Sequence, residues 1–166
     1  MKKAEAIEIE ASADRVWEVA AKEFDQIGTW ASNVTESRAS HEPVAGLRTE
    51  DMECTGRVCA TPQGETKEVF VAYDARARTF TYEITGSAMP GFVERATNTW
   101  TVESLGPEVA RLTMSVDMQT RGLLGAMMRP MMKVGMGKLL RVNLEELKHY
   151  IETGEQHARK QKKAAA

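Results

Sequence analysis

The sequence predicts an α+β domain in which a curved, seven-stranded antiparallel sheet wraps around a long C-terminal helix, with two short helices between the first two strands. Three observations predict it. A strand-like opening gives way at once to helical spacing. Almost ninety residues of alternating, β-branched and aromatic segments follow, separated only by short turns. One long helical stretch closes the chain.

The opening "KKAEAIEIEA" alternates charged and apolar residues and reads as the first strand. In "SADRVWEVAAKEF" the period changes: Ser12 is placed to cap a helix, Asp14 favours its first turn, and Val16, Trp17, Ala20 and Phe24 recur at helical spacing. "DQIGTWAS" reads as a second short helix interrupted by Gly28. Six strands follow: "NVTESRASH", "LRTEDMECTGRVCAT", "TKEVFVAYD", "RTFTYEITGSA", "GFVERATNTWTVES" and "EVARLTMSVDMQT". Their separators, "PVAG", "TPQG", "DARA", "MPG" and "LGP", are too short for crossovers, so neighbouring strands pair antiparallel.

The last two strands, at about 14 residues, would reach roughly 45 Å at 3.3 Å per residue. A sheet with strands that long must curl. A helix from Gly122 to about Thr153 would have a matching length of about 45 Å at 1.5 Å per residue, and it is the long element left to cover the concave face. The domain therefore spans residues 1–154. Residues 155–166, "EQHARKQKKAAA", are basic with no apolar period and read as a disordered tail.

Composition narrows the function. The chain of 166 residues has 42% hydrophobic residues and a formal net charge of −2, which fits one ordinary domain and provides no bulk field for nucleic acid. No run approaches the roughly 18 apolar residues of a membrane span, and the N-terminus lacks the apolar segment of a secretory signal, so the expected compartment is the cytoplasm. Cys54 and Cys59 lie five apart in an alternating segment, on opposite faces, which disfavours a mutual disulfide. His41, His149 and His157 are scattered without metal-ligand spacing, and there is no glycine-rich phosphate loop; neither a metal nor another cofactor is expected.

Alternation also selects the inward side chains. In "EVARLTMSVDMQT" the apolar row is Leu112, Met114, Val116 and Met118. In "GFVERATNTWTV" the row of Phe92, Ala96 and Trp100 also holds Glu94 and Asn98, placing a carboxylate and an amide toward the interior. The closing helix begins "RGLLGAMMRPMMKVGMGKLL", with Met127, Met128, Met131, Met132 and Met136 beside Pro130, Gly135 and Gly137. Thioethers re-pack around differently shaped guests, and proline and glycine soften a helix. This stretch, Met127 and Met131 in particular, is expected to act as a flexible wall over a ligand cavity.

The chain resembles the helix-grip SRPBCC superfamily, which includes START lipid-transfer domains, birch-pollen-allergen-like proteins, plant abscisic acid receptors and polyketide cyclases. The resemblance covers roughly residues 4–155 and rests on "ASADRVWEVAAKEFDQIGTWASNV" with its Trp30 landmark, "GRVCATPQGETKEVFVAYDARARTFTYEI", "NTWTVESLG" and "NLEELKHYIETGE". It implies an apolar cavity between sheet and helix. By resemblance to hormone-receptor members, Arg57 and Glu68 match inward positions of the central hairpin, with Tyr82 on the adjoining strand. Alternation opposes this for Glu68, because Val69, Val71 and Tyr73 form the more apolar row, so Glu68 ranks below Glu94.

The resemblance implies binding or transport of a hydrophobic small molecule or lipid. Its alternative is a polyketide cyclase or dehydratase using Glu94 as acid or base, with Tyr82 polarising a carbonyl. A second alternative is a membrane-surface or protein-interaction module, because "RGLLGAMMRPMMK" sets cations beside apolar residues and "RKQKK" would favour anionic lipid. Transient membrane contact is included in that expectation.

Overall fold

The computed structural model describes residues 1–47 and 52–164. Its sheet contains β1 (Lys2–Ile9), β2 (Glu36–Ser40), β3 (Gly56–Thr61), β4 (Gly64–Asp74), β5 (Thr79–Gly86), β6 (Val93–Gly106) and β7 (Val109–Thr120). Their spatial order is β1-β7-β6-β5-β4-β3-β2, and every neighbouring pair is antiparallel. The start of the expected third strand, residues 48–51, lies outside the described residues.

Between β1 and β2 run α1 (Ala13–Trp17), a π-helical continuation (Glu18–Lys22), a 3₁₀ turn (Phe24–Gln26) and α2 (Ile27–Trp30). Ser12 caps α1 as its position suggests, its hydroxyl accepting from the Arg15 N–H at 3.2 Å. These short elements bring Val16, Trp17, Phe24 and Trp30 onto the sheet. There Phe24 meets Phe70 with ring centroids 4.4 Å apart, and Phe80 bridges Trp17 to Trp100. This aromatic layer fills one end of the interior.

Helix α3 (Gly122–Thr153) is 32 residues long and continues through Pro130. It lies against β1, where Lys148 Nζ donates to the Glu8 carbonyl at 2.8 Å and Arg141 pairs with Glu5 at 3.4 Å. At Gly137 a Cβ would come within 2.7 Å of the Lys3 Cε, the movable end of a long side chain. Gly154 ends the helix in the left-handed conformation at φ 75°, its N–H bonded to the Tyr150 carbonyl.

The tail expected to be disordered over 155–166 is helical within its described part, while residues 165 and 166 lie outside the described residues. Residues Ala158–Ala164 form α4, and within it Lys160 is buried, its Nζ donating to the Val34 carbonyl at 2.6 Å. Arg159 pairs with Glu145, and Gln156 donates to the Thr29 carbonyl. The segment docks through charge and backbone carbonyls, which apolar periodicity does not reveal. No helix among the described residues is long and apolar enough to cross a membrane.

Of three register shifts among the described strands, one lies between Ser104 and Gly106 at the β6–β7 turn and two lie beside the cavity. Of these two, one adds a residue to β4 between Phe70 and Ala72, and the other adds one to β6 between Val93 and Arg95. Each breaks the period of two and reverses which side chains point inward on one side of it.

Candidate functional site

Beyond the aromatic layer, sheet and α3 diverge around a cavity of about 460 Å³. Its floor is the inward row of β6, Ala96, Asn98 and Trp100, with Val116 and Met118 from β7. Its roof is the inner side of α3, where Met136, Leu140 and Asn143 follow at helical spacing. Arg57 of β3, Glu68 of β4 and Tyr82 of β5 form one wall.

Arg57 is 1% exposed and fully engaged. Its Nε donates to Glu68 Oε2 at 2.7 Å, its Nη1 to the Phe24 carbonyl at 2.6 Å, and its guanidinium carbon sits 3.7 Å over the Phe24 ring. Burial opposes the charge, but Glu68 outweighs it and holds the guanidinium above its ordinary pKa. Cys59, on the same strand, is a buried free thiol whose pKa burial pushes up to about 11, which suits it to packing and not to nucleophilic attack. Cys54 is also free and buried, its pKa raised by the same cause.

Tyr82 and Asn98 face each other across β5 and β6, and the Asn98 Nδ2 donates to the Tyr82 hydroxyl at 2.9 Å. Burial raises the phenol pKa well above its ordinary value, so Tyr82 stays protonated and able to donate. Four buried atoms of the lining have no hydrogen-bond partner within the protein: Asn33 Oδ1, Asn98 Oδ1, Asn143 Oδ1 and Trp100 Nε1. Buried polar atoms are normally paired, and leaving one unpaired costs roughly 1–3 kcal/mol. Whichever way the Asn98 amide is turned, one end meets Tyr82 and the other is left without a partner within the protein.

Asn98 and Trp100, inward by alternation, thus meet Arg57, Glu68 and Tyr82, inward by the resemblance, around one cavity. Glu94 does not. It is the extra residue of the β6 bulge and is exposed; it does not line this cavity but a shallower neighbouring pocket that shares Ile84, Met89 and Ala96 with it. Phe92, before the same bulge, is half-buried and does not line the cavity. The bulge in β4 corrects the other ranking: with Val71 turned outward, Glu68 and Phe70 form the inward row.

Trp30 and Met114 are buried in the core and do not line the cavity. Met127 and Met131 are exposed on the far side of α3, so the methionine contact of that helix with the cavity comes through Met136, beside Met89 and Met118 from the sheet side. Asn33 and Asn143 were not singled out by sequence. Asn143 had a signal, a lone amide in the apolar row Met136, Leu140, Leu144 and Leu147. Asn33 had none.

The family model for polyketide cyclase / dehydrase and lipid transport matches residues 2–152. The chain belongs to this family. A search of the curated proteins returned no match. Among solved structures, a START superfamily protein from Mycobacterium smegmatis is similar over 93% of this chain and 99% of its own, with TM-score 0.70 and 13% identity. Norcoclaurine synthase from Thalictrum flavum, in complex with dopamine and hydroxybenzaldehyde, covers 95% of this chain and 89% of its own at TM-score 0.62 and 16% identity. The di-domain ARO/CYC BexL of the BE-7585A biosynthetic pathway matches over 90% of this chain and 47% of its own, at TM-score 0.68 and 14% identity. At these identities the likeness establishes the helix-grip fold of this family member.

Proposed function

We propose that this family member binds a neutral, largely apolar small molecule carrying hydroxyl or carbonyl groups, held between sheet and α3. The observation that carries the reading is the set of four unpaired polar atoms, Asn33 Oδ1, Asn98 Oδ1, Asn143 Oδ1 and Trp100 Nε1, on residues that line the cavity beside apolar ones such as Ile84, Val116 and Leu140. A guest that donates to the amide oxygens and accepts from the indole would satisfy them. The cavity, at about 460 Å³, falls in the range of small-molecule sites, roughly 300–1,000 Å³. The guest is neutral because Arg57, the cation in the lining, is already neutralised by Glu68.

Native mass spectrometry of the purified protein, followed by a thermal-shift panel, tests this. Hydroxylated polycyclic compounds should raise the melting temperature more than a fatty acid of equal volume, and Asn98→Leu should weaken the preferred compound about tenfold, as expected for one lost hydrogen bond. No shift by any member of the panel, or preference for the fatty acid, would overturn the reading.

A cyclase reading is second, supported by a buried, protonated Tyr82 aimed at the cavity and by the enzymes among the structural neighbours. It ranks lower because Glu68 is bound to Arg57 and Glu94 lies outside. It requires Tyr82→Phe to abolish turnover while affinity stays within about tenfold.

A further inference from the structure

The first half of α3 is apolar on both sides. Its inner side carries Gly125, Met132 and Met136 toward the sheet, while Leu123, Leu124, Met127, Met131 and Val134 are exposed. At 100° per residue these five fall within an arc of about 100°, opposite the inner row. The exposure is large: 91% for Leu123, 72% for Met127 and 75% for Val134. A helix apolar all round is normally covered all round.

Charge selects what covers it. From Arg121 to Leu144 the chain carries Arg121, Arg129, Lys133, Lys138 and Arg141, with no aspartate or glutamate, in a protein of net charge −2. Beside the stripe an open groove between α3 and β1 is lined by four cations, Lys3, Lys133, Lys138 and Arg141, and two carboxylates, Glu5 and Glu145. Lys3 and Arg141 pair with Glu5, whereas Lys133 and Lys138 form no ion pair among the described residues. A second copy meeting this face with its own would juxtapose like charges. A convex row of flexible side chains flanked by unpaired ammonium groups fits a fluid, anionic surface.

We propose that the outer face of α3 docks on anionic lipid bilayers, with Leu123, Met127, Met131 and Val134 entering the acyl boundary and Lys133 and Lys138 meeting phosphate headgroups. Docking stands apart from the cavity reading. Because the same helix roofs the cavity through Met136 and Leu140, docking would also bring the guest chamber to the bilayer, a link that does rest on that reading.

Flotation of the full chain with phosphatidylcholine vesicles, with and without an equal share of phosphatidylglycerol, tests the proposal. The anionic vesicles should bind at least tenfold more protein at low salt, and the excess should vanish near 0.5 M salt, where screening shortens to a few ångströms. Leu123→Asp with Val134→Asp should abolish flotation, and Lys133→Gln with Lys138→Gln should remove the anionic preference. In both double variants the circular dichroism melt and any guest binding measured without vesicles should be unchanged, so failure of docking is separable from failure of the cavity reading. Absence of flotation at low salt, or equal binding to neutral vesicles, overturns the proposal. So does a dimer in light scattering that the aspartate variant dissolves while wild-type protein ignores vesicles.

Discussion

Replacing Glu68 by glutamine tests the electrostatics of the cavity wall. The substitution keeps shape and one acceptor but leaves the Arg57 guanidinium, 1% exposed, without its counter-charge. Breaking a fully buried ion pair costs roughly 3–5 kcal/mol. Three features reduce that here: the Glu68 side chain is 12% exposed, Arg57 keeps its bond to the Phe24 carbonyl, and the Phe24 ring still lies 3.7 Å beneath it. The expected loss is about 2–3 kcal/mol, or roughly 5–10 °C in melting temperature for a chain of this size. Urea titration with unchanged m-value, alongside calorimetry, measures it. The double variant Arg57→Met with Glu68→Leu removes both charges and should recover most of the loss, falling short by about 1 kcal/mol for the orphaned Phe24 carbonyl. A loss below about 0.5 kcal/mol for Glu68→Gln, or no recovery in the double variant, would refute the reasoning.

Three further outcomes follow from the same geometry. Glu94→Gln, at an exposed bulge position, should leave stability within about 0.5 kcal/mol and guest affinity unaltered in a parallel thermal-shift titration. Gly135→Ala should stabilise the protein by roughly 0.5–1 kcal/mol in chemical denaturation, because a Cβ there meets nothing within 4 Å and alanine favours the helix. Burial raises the Cys59 pKa from 9.0 to about 11, so the unfolded chain releases this proton first. Its contribution is fully present below pH 9 and fades as the pH rises to 11, by roughly 2–3 kcal/mol, and the difference in stability between wild type and Cys59→Ala across that window reads it out.

Most of the fold was legible because strand alternation and helical spacing are local. The five turns, the capping Ser12 and the paired lengths of β6, β7 and α3 each act within a few residues or one element. The site was legible where alternation runs uninterrupted, as from Ala96 to Trp100. It failed at Glu94 and at Glu68 for the same reason: one added residue in each strand moves every side chain beyond it to the other face, and nothing in composition announces the addition. The family resemblance implied an inward Glu68 where alternation opposed it, and Glu68 does line the cavity. Met127 and Met131 were misplaced because methionine spacing alone does not say which side of a helix meets the sheet. The ordered end of the chain was missed because Lys160 is held by one carbonyl, a contact between residues 126 apart in sequence.

The bulge at Val71 reconciles two demands on β4. Counted back from Tyr73 with an even pleat, Val71 and Val69 would face inward and Glu68 would turn to water; setting Val71 aside as an unpaired residue lets Tyr73, Phe70 and Glu68 share one face. Losing Val71 would therefore leave that row intact, whereas losing Val69 would swing Glu68 outward and strip Arg57 of its mate in one step. Along this strand the place of a one-residue deletion, more than the residue lost, would decide whether the chamber stays polarised.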